Sequence, residues 1–243
     1  MIAATRPAGG ATAPTNDAEF TSASALSMEQ DGAALHVSAA LAVLTAIEAA
    51  LADIPPDQAG VRLHGIPALS RVLATGPVHD IATYYLGAQA HPVRAVLFDK
   101  SPGTNWALGW HQDRTIAVRE RHDVPGFARW STKAGVQHVE PPFSLLTRMV
   151  TIRIHLDPVP ADNAPLLIAL GSHRRGKVAD HDAEAVALGS DTHACLAERG
   201  DVWAYATPIL HASRAANGHR QRRVLQVDWS ADALPAPLSW LGV

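Results

Sequence analysis

A mainly β domain preceded by a helical layer is the fold class that the sequence predicts, the β part being a sandwich or barrel of which the double-sheet jelly roll is one form. Two observations predict it. From His91 onward, short runs rich in Val, Ile, Leu, Tyr and Trp are separated by Pro, Gly, Asn and Asp, with no helices alternating between them. Ahead of them, Leu41, Leu44, Ile47 and Leu51 recur at the spacing of one helical face.

The elements follow in order. Residues 1–20 form an Ala/Gly/Pro/Thr-rich stretch without a continuous apolar run, which reads as a flexible tail and not as a secretory signal. The amphipathic helix through Leu41 and Leu51 stops at Pro55 and Pro56, and a second helical pattern starts near Pro67. Gly76 and Pro77 interrupt that pattern before "VHDIATYYL", so residues 21–90 are expected to be mainly helical. The β part, about residues 91–232, then offers "PVRAVLF", "TIAVRE", "MVTIRIHL", "PLLIAL", "DVWAYA" and "RVLQVDW" as strands, within one domain over residues 21–243. Residues 121–142 are punctuated by Gly and Pro and read as a long irregular loop, a candidate lid.

Composition narrows the function. A net charge of −3 argues against a nucleic-acid platform, and no apolar segment is long enough to span a membrane, which leaves the cytoplasm as the default location. The single cysteine, Cys195, forms no internal disulfide and excludes multi-cysteine zinc and iron–sulfur sites. A metal here has to be held by His, Asp or Glu. Cys195 itself reads as a small buried hydrophobe.

The chemically specific stretch is "NWALGWHQDRTIAV", residues 105–118, which reads as one buried strand carrying His111 and Asp113. Residues two apart on a strand share a face, so an imidazole and a carboxylate stand side by side while Gln112 faces the other way. Alone the triplet is weak, since 13 histidines produce such a pattern easily by chance. His211 follows the run "DVWAYA", 98 residues after Asp113, and supplies a third ligand; Arg222 lies 11 residues further on. Two His and one carboxylate leave three positions of an octahedral iron open, the arrangement of non-haem Fe(II) oxygenases. A buried guanidinium beside them is suited to the distal carboxylate of a dicarboxylic acid.

The segments "NWALGWHQD", "DNAPLLIALGSHRRG", "RGDVWAYATPILHAS" and "RQRRVLQVDW", taken together and in this order, resemble the phytanoyl-CoA dioxygenase family of Fe(II)/2-oxoglutarate oxygenases. The resemblance implies a double-stranded β-helix, a cupin-like jelly roll, with an N-terminal helical layer. It implies iron on His111, Asp113 and His211, 2-oxoglutarate on Arg222, with Arg223 as the neighbouring alternative, and dioxygen as the oxidant, with ascorbate as an accessory reductant. Where the family usually reads "DNGPL…PGSH", this chain carries Ala164 and Leu170, a departure that bears on local loop shape. The carboxylate Asp113 favours hydroxylation, or a related desaturation or cyclisation, over halogenation.

Other positions keep two readings. Lys100 and Thr151, the latter sharing a face with Arg153, are candidates for holding 2-oxoglutarate, or a surface lysine and a packed threonine. Trp110 is either core or a wall of the substrate pocket. Trp130, Lys133 and His138 on the long loop either meet substrate or decorate a solvated connector. His173, Arg174 and Arg175 are either contacts to a substrate anion or solvated turn charges. His155, His193 and His219 have no partner at ligand spacing and read as structural or surface residues. The expected ligand is a small organic molecule, on a monomer or homodimer. Two competing classes stand beside this one: a metal-dependent hydrolase or isomerase on a cupin-like barrel, and a non-catalytic binding barrel.

Overall fold

The computed structural model describes residues 25–56, 58–101, 103–216 and 221–243. The expected tail at residues 1–20 and His219 lie outside the described residues. The chain starts with a strand, β1 (Ala33–His36), then a single 3-10 turn leading into α1 (Leu44–Ala50), β2 (Val61–Leu63), α2 (Pro67–Leu73) and α3 (Pro77–Leu86). Both Pro67 and Pro77 occupy the first helical turn, where a missing N–H costs nothing and the fixed φ favours entry. Pro77 therefore starts a helix where the sequence signalled a break. Strands β1 and β2 interrupt the region expected to be helical. They are four and three residues long, too short for a period-2 pattern to register.

The β part comprises β3 (His91–Lys100), β4 (Leu108–His111), β5 (Ile116–Val118), β6 (Ala128–Lys133) and β7 (Val136–Glu140), then the short helix α4 (Phe143–Leu146) and β8 (Met149–His155). It continues through β9 (Leu166–Ala169), helix α5 (Ala183–Leu188), β10 (Thr192–Cys195), β11 (Val202–Ala206), β12 (His211–Ser213) and β13 (Arg222–Ser230). A six-stranded sheet in the order β1-β11-β8-β13-β3-β2 faces a four-stranded sheet in the order β10-β9-β12-β4. Every pairing is antiparallel, and the two sheets form a jelly roll.

Two expectations about the middle of the chain need correction. Residues 105–118 are not one strand: β4 ends at His111, and β5 belongs to a separate three-stranded sheet ordered β5-β7-β6. Residues 121–142 are not an irregular loop, because β6 and β7 form a hairpin in which Lys133 pairs with Val136. Its turn residues Ala134 and Gly135 both have positive φ (49° and 79°), the backbone of a tight hairpin turn. Alanine in the first of those positions is an uncommon choice and hides the turn from a sequence reading.

The large sheet has two different faces. One carries Val150, Ile152 and Ile154 of β8 with Leu225, Val227 and Trp229 of β13, and packs on Leu44, Ile47, Leu69, Leu73 and Ile81 of the helical layer. Each such aliphatic side chain taken out of water contributes about 1.5–3 kcal/mol. The other face looks into the barrel and is polar for much of its length. Strand register sets it out in rows: Arg94, Asp228, Thr151 and Tyr205; then Arg62, Val96, Gln226, Arg153 and Trp203; then Phe98, Val224 and His155; then Lys100 and Arg222. Among the described residues no helix is long and apolar enough to cross a membrane.

Candidate metal centre

His111 is the last residue of β4 and His211 the first of β12, and the two are direct register partners. Their ring centroids lie 4.2 Å apart. Asp113 sits just past the end of β4, brought back toward the pair by the anchoring of Gln112. The Gln112 amide donates to Gly176 O (2.9 Å) and Pro208 O (2.8 Å), and its Oε1 accepts from the Val178 N–H at 2.9 Å. With Gln112 fixed on the outer side, its neighbours point inward. One ligand atom from each of His111, Asp113 and His211 lies within 4.8 Å of the others. Nδ1 of His111 faces Gly109 O at 2.8 Å, and Nδ1 of His211 faces Ile209 O at 3.0 Å. A proton on each Nδ1 satisfies those carbonyls and leaves both Nε2 lone pairs for a metal. Burial, reinforced by His111, pushes His211 down to about 4, so it is neutral and ligand-competent at physiological pH.

Asp113 is held in an ion-pair chain. Arg94 contacts its Oδ2 at 3.3 Å and, through Nε, reaches Asp228 Oδ2 at 2.6 Å. Asp228 in turn accepts from the Thr151 hydroxyl at 3.0 Å. Burial alone would raise the Asp113 carboxyl; Arg94, with the two imidazoles, overrides it and holds the group down to about 2. Asp228 shifts the other way, raised by burial. The Gln226 amide lies 3.5 Å from Asp113 Oδ2.

Beyond this end the barrel interior is cationic. Arg222 is 3% exposed, donates through Nη1 to Ala164 O, and leaves its Nε without a hydrogen-bond partner in the protein. Burial, then Arg153, lowers it to about 9. Ala164 adopts φ +51° at the turn where the family usually carries glycine, so the departure in sequence is a real backbone strain that presents a carbonyl to Arg222. Arg223 points the opposite way, to Asp157 at 2.8 and 2.9 Å and to Glu48 at 3.3 Å. The geometry thus separates the two arginines, and only Arg222 enters the barrel.

The remaining sequence candidates divide. Lys100 is 1% exposed, and its ammonium is fully used, donating to Trp106 O (2.7 Å), Ser213 Oγ (3.0 Å) and Arg214 O (2.7 Å), so it braces loops and has no donor left for a co-substrate. Burial, then Arg222 and Arg153, lowers it to about 8. Thr151 is likewise committed, to Asp228 and Thr207. Trp110 lies on the outer side of β4 against Ala183, Ala187 and Leu210, which removes it from the substrate wall. Trp130 packs with Val93, Ile116 and Val139 under the small sheet and receives the Arg121 guanidinium at 5.5 Å, a structural role.

Lys133 and His138 lie on one face of that sheet and do reach the centre's field. Lys133 is exposed and is lowered by burial and by Arg62 and Arg94, with Asp113 acting in the opposite sense. His138 is buried, its Nδ1 is 3.0 Å from Val136 O, and burial pushes it down to about 4, aided by Arg94, Lys133 and Arg62. His173 packs against Gly32 at the β1 end of the large sheet, and Ser172 accepts from the Leu210 N–H at 2.9 Å. His193 lies tilted beside Trp203, centroids 5.4 Å apart. Cys195 is buried, its thiol pushed up to about 12, in keeping with a packed hydrophobe. His155, read as structural or surface, is not at the surface: it is 3% exposed inside the barrel with both ring nitrogens unpartnered. Arg94, Gln226 and Arg62 carry no short-range sequence signal and come to the site only through strand pairing.

The comparisons with known proteins bear on this centre. Residues 68–224 match the family model "Phytanoyl-CoA dioxygenase (PhyH)". That span covers well over half of the chain, and the chain belongs to this family, which places it among the iron- and 2-oxoglutarate-dependent oxygenases. No curated protein matches the chain in sequence. Among solved structures it is similar to EctD from S. alaskensis (17% identity, 89% of this chain and 78% of that one covered, TM-score 0.62). It is also similar to SnoK, a non-heme alpha ketoglutarate dependent carbocyclase from nogalamycin biosynthesis (16%, 83% and 81%, TM-score 0.58). HygX from Streptomyces hygroscopicus, solved with nickel and 2-oxoglutarate bound, aligns at 12% identity over 84% of each chain with a TM-score of 0.54. At these identities the neighbours show the fold.

Proposed function

We propose that this oxygenase hydroxylates, or desaturates or cyclises, a small organic metabolite, with His111, Asp113 and His211 holding iron and Arg222 holding 2-oxoglutarate. The observation that carries the reading is the joint one: a two-imidazole, one-carboxylate cluster at one end of a barrel whose interior also holds a buried arginine with an unpartnered Nε. The donor set, two imidazole nitrogens and one carboxylate oxygen, fits a divalent iron. When bound, iron and 2-oxoglutarate activate dioxygen, one oxygen atom ending in succinate with loss of CO2 and the other, for a hydroxylation, in the substrate. Ascorbate serves as an accessory reductant for iron.

The chain's own residues do the positioning. Backbone carbonyls engage Nδ1 of His111 and of His211, which turns Nε2 of each ring toward the metal. Asp113 stays ionised because Arg94 faces it. Enclosure between the two sheets limits the access of water to the reacting centre. Lys133 and His138, on the face of the small sheet whose charges Asp113 and Arg94 feel, are the side chains we assign to the substrate side. Cyclisation belongs in the range of reactions because SnoK, of similar fold, is a carbocyclase. A hydrolase on the same barrel gives no use to the buried arginine.

The test is succinate release from 2-oxoglutarate by the Fe(II) protein against a panel of metabolites. A member of the panel that raises release above the substrate-free rate, with loss of that increment in His211→Ala, supports the reading. Equal release by His211→Ala contradicts it.

A further inference from the structure

The barrel interior holds more positive charge than one co-substrate arginine requires. Arg153 and His155 lie two residues apart on β8 and share its inward face. His155 is the register partner of Val224, and Arg222 stands two residues before Val224 on β13, so the three side chains converge on one region of the interior. They are 6%, 3% and 3% exposed respectively. Each has an unsatisfied polar atom: Nε of Arg153, Nε of Arg222, and both ring nitrogens of His155 lack a hydrogen-bond partner within the protein.

The rest of each guanidinium is fixed by neutral groups. Arg153 Nη1 donates to Gln226 Oε1 at 2.8 Å, and its plane centre lies 5.4 Å from the Phe98 ring. Arg222 is tied to the Ala164 carbonyl. Neither makes an ion pair with a carboxylate among the described residues. A buried charge without a counter-ion is costly, and a buried donor without an acceptor adds to the cost. His155 is held neutral by burial and by the two arginines, which leaves it one N–H to give. Two guanidiniums and one imidazole that stand in neighbouring register positions, each with an unpartnered nitrogen, suit a carboxylate, which accepts several charge-assisted hydrogen bonds at once.

We propose that Arg153 and His155 join Arg222 in a carboxylate site that binds the distal end of a dicarboxylic acid without needing the metal. This rests on the reading of the barrel as a 2-oxoglutarate site and assigns it two further binding residues. Because the pocket recognises only the far carboxylate, it also takes the product succinate, and a neutral end group is rejected. A link to the metal end is built in: Gln226 accepts from Arg153 and from the Tyr205 hydroxyl (3.3 Å) while its amide faces Asp113.

The experiment is a calorimetric titration of the full chain, stripped of metal with a chelator, using glutarate and succinate as probes and glutaramide as the neutral control. Saturable binding of both acids and none of glutaramide is expected, with affinity lowered about tenfold or more in Arg153→Met and severalfold in His155→Leu. Arg153→Lys, which keeps the charge, recovers part of the loss; circular dichroism establishes that each variant is folded. Should Arg153→Met misfold, His155→Leu and Arg153→Lys carry the test. Glutarate binding only after metal is restored, or wild-type affinity in the folded variants, overturns the proposal. Its failure is separable from that of the oxygenase reading. If the wild-type Fe(II) protein binds 2-oxoglutarate while the Arg153 and His155 variants match it, only this pocket falls; if the wild type binds none, the underlying reading falls.

Discussion

Arg94 and Asp113 form an ion pair at 3.3 Å inside the barrel, and the same guanidinium holds Asp228 at 2.6 Å. One cation thus serves a carboxylate of the candidate metal centre and a buried second one that is anchored by Thr151. Removing Arg94 leaves two carboxylates close together without their counter-ion. Arg94→Met is expected to lower the affinity for Ni(II), measured calorimetrically, by about 10–100-fold and to cost about 3 kcal/mol or more of stability. Unchanged metal affinity in a folded variant would separate Arg94 from the centre.

The two adjacent arginines make a clean contrast. Arg222→Met should reduce 2-oxoglutarate affinity by more than about tenfold, through loss of a charge-assisted contact. Arg223→Met removes its pairs with Asp157 and Glu48 on the outer face and should leave that affinity unchanged while costing about 1 kcal/mol. Equilibrium binding to the Fe(II) protein in the absence of oxygen reads both. The reverse ranking would move the clamp to Arg223.

Ala164 supplies a backbone test. Its φ of +51° is disfavoured for alanine by about 1–2 kcal/mol, and glycine relieves this at a cost of about 0.5–1 kcal/mol in unfolded-chain entropy. Ala164→Gly should therefore be neutral or stabilising by up to about 1 kcal/mol in urea unfolding. Marked destabilisation would contradict the strained turn.

Acid sensitivity follows from His138, whose folded value is pushed by burial from 6.5 down to about 4. Between those values the unfolded chain binds more protons, so this contribution to stability is present above about pH 6.5 and is lost as the pH falls toward 4. Guanidinium unfolding from pH 7.5 to 4.5 should show a shallower decline in His138→Gln than in the wild type. Identical slopes would mean that His138 is not buried as a neutral ring.

How far the sequence anticipates this molecule depends on what each residue needs from the fold. The cluster of His111, Asp113 and His211 is legible because the alternation of a strand puts the first two on one face and the third follows a clear strand-like run. Arg94, Arg153 and Gln226 are not, since each acquires its partners from a strand distant in sequence and looks, in its own run, like any polar residue alternating with apolar ones. His155 has no ligand partner nearby in the chain, and only the curl of β8 against β13 encloses it. Trp110 takes the core one of its two readings. Its neighbour His111 faces inward, so on a strand Trp110 had to face outward, under α5. The β6–β7 hairpin escaped because Ala134 replaces the usual turn residues and Gly and Pro surround it.

The most direct measurement of the central claim is the visible spectrum of the protein reconstituted with Fe(II) under anaerobic conditions and titrated with 2-oxoglutarate. A saturable metal-to-ligand charge-transfer band in the wild type, absent in Asp113→Ala, is the result expected if His111, Asp113 and His211 hold the iron and the keto acid binds to it. No band in the wild type, or a full band in Asp113→Ala, would contradict the assignment.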